Sequence, residues 1–194
     1  MGSNNNRAAR EAQRAEDARL AAIRNTQMAV NQAYDSPSRQ AEIGDFVNST
    51  RTFLGNDLRD QHENTQRDLM FALARNGLTG SSTEVDQKTD VGKEYARGLL
   101  EVDRKSRGAG AELEAQDQEA RARLIALATS GLTATDGRSQ AFAGMRSALE
   151  ANRSTALAGG LGNSFGTFGT FLKDSRDAYE RRRANRETGF GLYG

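Results

Sequence analysis

The sequence predicts an all-α protein, an array of long helices, and three features support that fold class. Proline, which breaks helices, occurs once in 194 residues, at Pro37. Alanine, arginine, glutamate and glutamine, which all favour helices, are abundant. Apolar residues recur at steps of three and four along most of the chain, as they do on one face of a helix. Because only 36% of the residues are hydrophobic and 6% aromatic, we expect an elongated array rather than a large globular enzyme.

Composition also narrows the function classes. The chain has 27 basic and 26 acidic residues, so no strong net field draws it to nucleic acid or to an anionic membrane. Without cysteine it has no disulfide, thiolate nucleophile or Cys-ligated metal, and the single histidine, His62, lacks a second imidazole with which to share zinc. The opening MGSNNNRAAREAQR has no apolar core of a signal peptide. We predict no enzyme activity, no cofactor, no metal and no small-molecule substrate.

The first predicted helix runs from Asn6 to Tyr34. Ser36 is placed to cap a second helix, which begins at Pro37, because proline suits the first turn of a helix. That helix ends at Asn76-Gly77, where glycine accepts a left-handed C-cap. Unbroken, it would be about 58 Å long. Its polar stretch from Asn56 to Arg67 indicates either a break or a region covered by another chain.

A third helix is predicted after Ser81, which is spaced with Glu84 for a capping box. The two glycines between Arg107 and Glu112 suggest a hinge, since each costs a helix about 1 kcal/mol relative to alanine. The helix ends at Ser130-Gly131, and Thr133 with Asp136 is spaced to cap a shorter fourth helix. The apolar positions of the third and fourth helices are Val91, Tyr95, Leu99, Val102, Leu113, Leu124, Leu127, Phe142, Met145, Leu149 and Leu157.

Two helix ends resemble each other. LMFALARNGLTGSS, residues 69–82, and RLIALATSGLTATD, residues 123–136, align at an offset of 54 residues. The favoured interpretation is that two helices end by the same chemistry, a glycine cap followed by a Ser/Thr restart. The alternative is a duplicated helix-turn-helix unit.

Catalytic motifs lack the context that they require. Residues 162–166, GNSFG, match the G-x-S-x-G turn of serine hydrolases, but no buried strand precedes them, and His62 lies in a charged helix stretch that is typical of solvated residues. The acidic pairs Asp57/Asp60 and Glu112/Glu114 lie among arginines and are interpreted as exposed ion-pair positions.

The most informative segment is Ser154 to Leu172, STALAGGLGNSFGTFGTFL, in which 19 residues carry no charge between Arg153 and Lys173. As one helix it would be about 28 Å long, close to the hydrocarbon thickness of a bilayer. Gly162 and Gly166 have the spacing that lets membrane helices approach closely, and an apolar set recurs every third residue: Phe165, Phe168 and Phe171. We expect insertion only as an assembly, and the alternative is a flexible or tightly turning glycine loop that packs against neighbours in a complex.

The last part of the chain is basic and then aromatic. Four arginines, Arg181, Arg182, Arg183 and Arg186, end a short charged helix, where they complement the helix dipole; contact with DNA phosphates or an acidic partner is the functional alternative. The tail carries exposed aromatic and aliphatic residues for docking into a neighbouring subunit: Phe190, Leu192 and Tyr193. The sequence thus divides into residues 1–153, 154–172 and 173–194.

One motif resembles a known family. An L-A-x-x-G-[LV]-x-x-S-S turn between long helices, here Leu73 to Ser82, together with a weakly apolar Gly/Ala/Ser segment near the C-terminus, resembles the internal virion proteins of short-tailed bacteriophages. The resemblance covers residues 6–173. It implies an ejection protein that is stored in the virion, leaves ahead of the genome and assembles in the host envelope as part of a conduit for DNA.

Two other functions fit the same helices. One is a structural tail or head-tail connector component that stays in the particle, and the other is a cellular coiled-coil scaffold. Under the first two we expect a homo-oligomer that contacts other virion proteins, such as the portal, tail or other ejection proteins. The apolar seams behind this expectation are Leu20/Ile23/Val30/Tyr34 and Leu113/Leu124/Leu127. The DNA backbone and the host membrane are further expected partners of an ejection protein.

Overall fold

The computed structural model describes the backbone of residues 3–189 and the side chains of residues 7–184 apart from Thr167. This part of the chain contains five helices and no strand, so the all-α prediction is confirmed. The helices are α1 (Ser3–Tyr34), α2 (Pro37–Asn76), α3 (Ser82–Ala128), α4 (Ala134–Gly159) and α5 (Gly166–Gly189).

The helices begin where the sequence places caps. The hydroxyl of Ser36 accepts a hydrogen bond from the Arg39 N–H at 3.3 Å. Ser81 Oγ accepts from the Glu84 N–H at 3.3 Å, and the Glu84 carboxylate accepts from the Gly80 N–H at 2.6 Å. Thr133 Oγ1 accepts from the Asp136 N–H at 3.2 Å. Each hydroxyl satisfies a helix N–H that has no partner within the helix.

The two similar segments end their helices with the same hydrogen bond. The Leu78 N–H donates to the Leu73 carbonyl at 2.9 Å, and the Leu132 N–H donates to the Leu127 carbonyl at 3.2 Å. The preceding glycines, Gly77 and Gly131, have φ of 67° and 103°. Both turns are Schellman motifs, in which glycine takes the left-handed position. The helix-ending chemistry of the favoured interpretation is thus present at both segments, and a duplicated helix-turn-helix unit would show it as well.

Two expected interruptions are absent from the described helices. Helix α2 continues through residues 56–67, and α3 continues through residues 107–112. The prediction of a hinge in α3 was wrong. Gly110 instead allows α3 to pack closely on α2, because a Cβ built there would lie 2.5 Å from Val47 Cγ2. The break expected in α2 is wrong because nothing in that stretch caps a helix end, and two of its polar side chains bind another part of the chain, as described below.

The chain divides into two compact units, each built from separate stretches of sequence. Unit 1 combines Met1–Thr50 with Ser106–Ala158, and unit 2 combines Arg51–Lys105 with Gly159–Gly194. The boundaries fall inside α2 and α3, so this division differs from the linear one expected at residues 153 and 172.

Unit 1 packs α1 and α4 against parts of α2 and α3. The core joins α1, α3 and α4 through Val30, Ala33, Tyr34, Leu124, Ala141 and Met145. A buried ion pair accompanies this core: Arg39 donates through Nε and Nη2 to the two carboxylate oxygens of Asp117, at 2.7 and 2.9 Å. Both side chains are at least 90% buried. Most of the two seams assigned to self-association is thus buried within unit 1, although Leu20 and Leu127 stay exposed.

Unit 2 packs the rest of α2 and α3 with the end of the charge-free segment and the start of α5. Its core contains Leu54, Leu58, Leu69, Leu73, Val91, Val102, Leu161, Phe165 and Phe168. Helices α2 and α3 come especially close at Gly98, where an added Cβ would lie 2.4 Å from Leu58 Cδ1. The glycine is therefore required by the close approach of the two helices.

Candidate functional site

The charge-free segment does not form one helix. Helix α4 ends at Gly159, residues 160–165 form a loop, and α5 begins at Gly166. We call residues 160–165 the strap. Gly160 and Gly162 have φ of 40° and 69°, which glycine adopts without strain, so they turn the chain out of α4. Gly162 and Gly166 therefore do not form a packing face on one helix. Among the described residues, no helix combines the length and hydrophobicity needed to cross a membrane.

Polar side chains of α2 and α3 hold the backbone of the strap. Gln61 of α2 donates from Nε2 to the Gly162 carbonyl at 2.9 Å and accepts at Oε1 from the Ser164 N–H at 3.1 Å. Asp57 Oδ2 accepts from the Leu161 N–H at 3.3 Å. Lys105 Nζ donates to the Gly160 carbonyl at 2.8 Å. These bonds satisfy backbone groups that a loop cannot pair with itself.

The polar stretch of α2 thus has an intramolecular role. Asp57 and Gln61 are four residues apart and lie on one side of the helix, and the Gln61 Nε2 also donates to Asp57 Oδ2 at 3.3 Å. Asp57 and Gln61 therefore have bonding partners within their own chain.

Aromatic rings of α2, α3 and the strap pack together around His62. The ring of His62 stacks on Tyr95 of α3, with ring centroids 4.4 Å apart, and lies 5.7 Å from the ring of Phe165. Its Nδ1 is buried without a hydrogen-bond partner. Burial lowers the pKa of His62, and the nearby Glu63 carboxylate opposes that shift. His62 is thus half-buried rather than fully solvated, because its ring packs on Tyr95 and Phe165, while its Nε2 lies 2.9 Å from Gln66 Nε2 at the surface.

The phenylalanines of the segment are core residues. Phe165 and Phe168 are buried in unit 2, and Phe171 packs partly buried against the same cluster. Their three-residue spacing reflects the end of the strap and the first turns of α5. In the folded chain these residues belong to a packed glycine-rich loop and the start of α5. The residues that cover them belong to the same chain.

The G-x-S-x-G match has no hydrolase geometry around it. Ser164 lies in the strap just before α5 rather than between a strand and a helix. Its N–H is bonded to Gln61, and the His62 ring faces Tyr95 and Phe165. Within the described residues, no group of three or more His, Asp or Glu side chains is arranged to hold a metal ion.

The arginine cluster lies near the C-terminal end of α5. Arg181, Arg182 and Arg183 are exposed, and Arg181 Nε donates to the Asp177 carbonyl at 3.2 Å. Three consecutive residues point in directions about 100° apart around a helix, so they do not form one flat basic surface. The side chain of Arg186 and the tail residues Phe190, Leu192 and Tyr193 lie outside the described residues.

Apolar residues remain at the surface of both units. All side chains of residues 7–22 of α1 are exposed, among them Leu20. The larger exposed apolar side chains elsewhere include Met28, Met70, Phe71, Val85, Leu99, Leu100, Leu127, Phe142 and Leu157. These side chains are distributed over α1, α2, α3 and α4.

Comparison with known proteins gives no relative. No family model, no curated protein and no solved structure matches this chain.

Proposed function

We propose that this chain is an internal virion protein of a short-tailed bacteriophage, which leaves the particle with the genome and helps to form a conduit across the host envelope. The proposal rests on the resemblance in the Leu73–Ser82 turn and on the charge-free segment. The turn is a glycine-capped helix end followed by a serine-capped restart. The protein acts by assembly with further copies and with other virion proteins, without catalysis.

The observation that best supports an ejected protein is how unit 2 holds residues 159–172 of the charge-free segment. The strap is attached through side-chain hydrogen bonds, each with a net worth of about 1 kcal/mol, and its aromatic residues complete a small core. The segment has no charged residue that would oppose its entry into a bilayer once it leaves unit 2. Unit 2 would thus store the segment in the particle and release it at the host envelope.

DNA contact is a secondary part of this proposal. The exposed Arg181 and Arg182 are suited to weak, salt-sensitive contact with DNA phosphates inside the particle. The dipole of α5 already favours arginine at this end, so these residues carry less of the proposal than the charge-free segment does.

The second candidate is a structural tail or connector component that stays in the particle. The burial of Phe165 and Phe168 favours it, because a segment whose aromatic residues complete a core needs no membrane role. A cellular coiled-coil scaffold remains the third candidate, and it would be found outside virions.

Variants at exposed positions distinguish the first two functions. Phe165→Arg is unsuitable, because a buried charge would unfold unit 2. Leu157 and Thr170 are exposed, so Leu157→Arg combined with Thr170→Arg preserves the fold. The charge-free stretch left between them would be about 18 Å long, too short for a bilayer core of about 30 Å.

We expect the double variant to lose dye release from phosphatidylglycerol-containing liposomes and to lose DNA delivery by phage that carry it. The matched control is Met28→Arg with Thr52→Arg, at exposed positions outside the segment, which should retain both activities. If the Leu157/Thr170 variant permeabilises liposomes and delivers DNA like the parent, the segment only packs unit 2, and the structural component replaces the ejection protein.

A further inference from the structure

His62 lies where three parts of unit 2 meet. Its ring stacks on Tyr95 of α3, with centroids 4.4 Å apart, and lies 5.7 Å from the ring of Phe165, the last residue of the strap. The residue before it, Gln61, binds the strap backbone through two hydrogen bonds. A change in the state of His62 therefore acts directly on the attachment of the strap to α2 and α3.

The two nitrogens of the His62 ring have different surroundings. Nε2 lies at the surface beside the Gln66 amide, whereas Nδ1 is buried and has no hydrogen-bond partner. A neutral ring needs only one N–H, and on Nε2 that hydrogen can reach the Gln66 amide oxygen or water. The charged ring carries an N–H on both nitrogens, so its Nδ1–H would be a buried donor without an acceptor. The site thus fits the neutral ring better than the charged one.

The groups packed around His62 do not offset the cost of charging it. Its titratable neighbours are Glu63 on its own helix and Tyr95 on α3, and residues 160–172 of the strap and α5 contain no titratable side chain. Burial lowers the pKa of His62, and the Glu63 carboxylate opposes that shift only in part. Burial therefore outweighs the one favourable charge, because low-dielectric surroundings disfavour the charged ring.

We propose that His62 is a pH-dependent latch, whose protonation releases the strap from α2 and α3. This inference rests on the proposed function, because it names the signal that frees the charge-free segment. Protonation turns the ring toward water, which gives Nδ1–H an acceptor and removes the ring from Tyr95 and Phe165. Phe165 then loses part of its cover, and the strap is held by fewer contacts.

The direction of the effect follows from proton binding. With the strap closed, His62 binds a proton weakly, and with the strap open its ring is in water, where histidine has its ordinary pKa of about 6.5. Acid therefore favours the open strap, and the strap stays closed above about pH 7. Because the ring is half-buried, the response is a shift in the population of open straps.

Hydrogen exchange of the full-length protein measures the latch. The reporter is a peptide that contains residues 160–165, and a peptide of α4 around Met145 in unit 1 is the internal control. At each pH the parent is compared with His62→Phe, which keeps an aromatic ring but cannot titrate, so the intrinsic effect of pH on exchange cancels. Between about pH 7.5 and about pH 5.5 we expect exchange of the strap in the parent to rise at least about threefold relative to the variant, with the control peptide unchanged.

Glu63→Gln is a second variant, which keeps the histidine. Glu63 is exposed, so this change preserves the fold, and removing its carboxylate makes the charged ring less favourable. We expect the strap of this variant to open only at a lower pH. Since His62 is the only histidine, NMR follows its titration directly, and the midpoint should move together with that of strap exchange.

Two results would overturn the latch: the same pH dependence of strap exchange in the parent and in His62→Phe, or an unchanged response in Glu63→Gln. An equal rise in the strap and control peptides would also overturn it, because it would indicate acid unfolding of the whole chain.

Dye release from phosphatidylglycerol-containing liposomes, measured at both pH values, separates the latch from the proposed function. A strap that opens in acid without dye release would support the latch and exclude the conduit. Dye release at both pH values with no pH dependence of strap exchange would support the conduit and exclude the latch.

Discussion

At the scale of single residues, the Arg39–Asp117 pair is the most costly feature of unit 1 to disturb. Burial opposes the charged guanidinium, but the bonds to Asp117 and Glu42 outweigh it and raise the pKa of Arg39 above its usual value. We expect Asp117→Ala to lower the free energy of unfolding by about 3–5 kcal/mol, because it leaves a buried charge unpaired.

Urea unfolding measures this loss, and the double replacement Arg39→Met with Asp117→Leu serves as the control. Because it removes both charges and keeps apolar volume, it should restore most of the stability. A loss below about 1 kcal/mol for Asp117→Ala would mean that water or another group replaces the carboxylate.

His62 gives unit 2 a dependence on pH. Since burial lowers the pKa of His62 in the folded protein, the unfolded chain binds a proton more readily. The folded state with neutral His62 therefore has its full stability above the ordinary histidine pKa of about 6.5. Its free energy of unfolding falls as the pH drops below that value, because protonation favours the unfolded chain. We therefore expect stability to fall between pH 7 and pH 5 by more in the parent than in His62→Phe, which keeps the stacking but cannot titrate. Equal pH dependence of the two proteins, measured by urea unfolding, would contradict this role.

At the scale of elements, two glycines of α3 should respond in opposite ways to alanine. A Cβ at Gly98 would clash with Leu58, which is fully buried and has little room to move, so Gly98→Ala should destabilise the protein by about 1–3 kcal/mol. Gly108 has open space around it, and Gly108→Ala should stabilise the helix by up to about 1 kcal/mol. Thermal unfolding of the two variants checks both signs, and a stabilised Gly98→Ala would show that α2 and α3 are not in close contact there.

Helix boundaries could be predicted from the sequence because their causes are local. Ser36, Ser81 and Thr133 act on N–H groups three residues away, and Gly77 and Gly131 act on the turn that they end. Periodicity likewise identified the buried positions Val91, Val102 and Leu113.

The strap could not be predicted in this way, because Gln61 and its partner Gly162 are 101 residues apart. The absence of charge in residues 154–172 predicted a segment long enough to cross a bilayer as one helix. It did not predict that Gly160 and Gly162 adopt positive φ and so divide the segment between two helices. The one local signal was the pair Asp57 and Gln61, polar residues next to the apolar positions Leu54 and Leu58. The Arg39–Asp117 pair could not be predicted for the same reason, because its members are 78 residues apart.

At the scale of the whole molecule, long stretches of helix pack against neither of the two hydrophobic cores. Residues 7–22 of α1 are exposed, and so are Val85, Leu99 and Leu100 of α3. Long helices gain most of their stability from packing, so these surfaces favour a protein that reaches its final state in an assembly. The proposed internal virion protein would meet that condition through assembly with other virion proteins.

Loss of the chain from phage particles upon genome release would be the clearest sign of an ejection protein. Purified particles are triggered to release their DNA, and the copies of this chain per copy of the major capsid protein are quantified by mass spectrometry before and after. We expect the chain to be present in full particles and depleted from emptied ones, while the portal protein, as internal control, is retained. Equal amounts before and after release would identify a structural component, and absence from full particles would exclude a virion protein altogether.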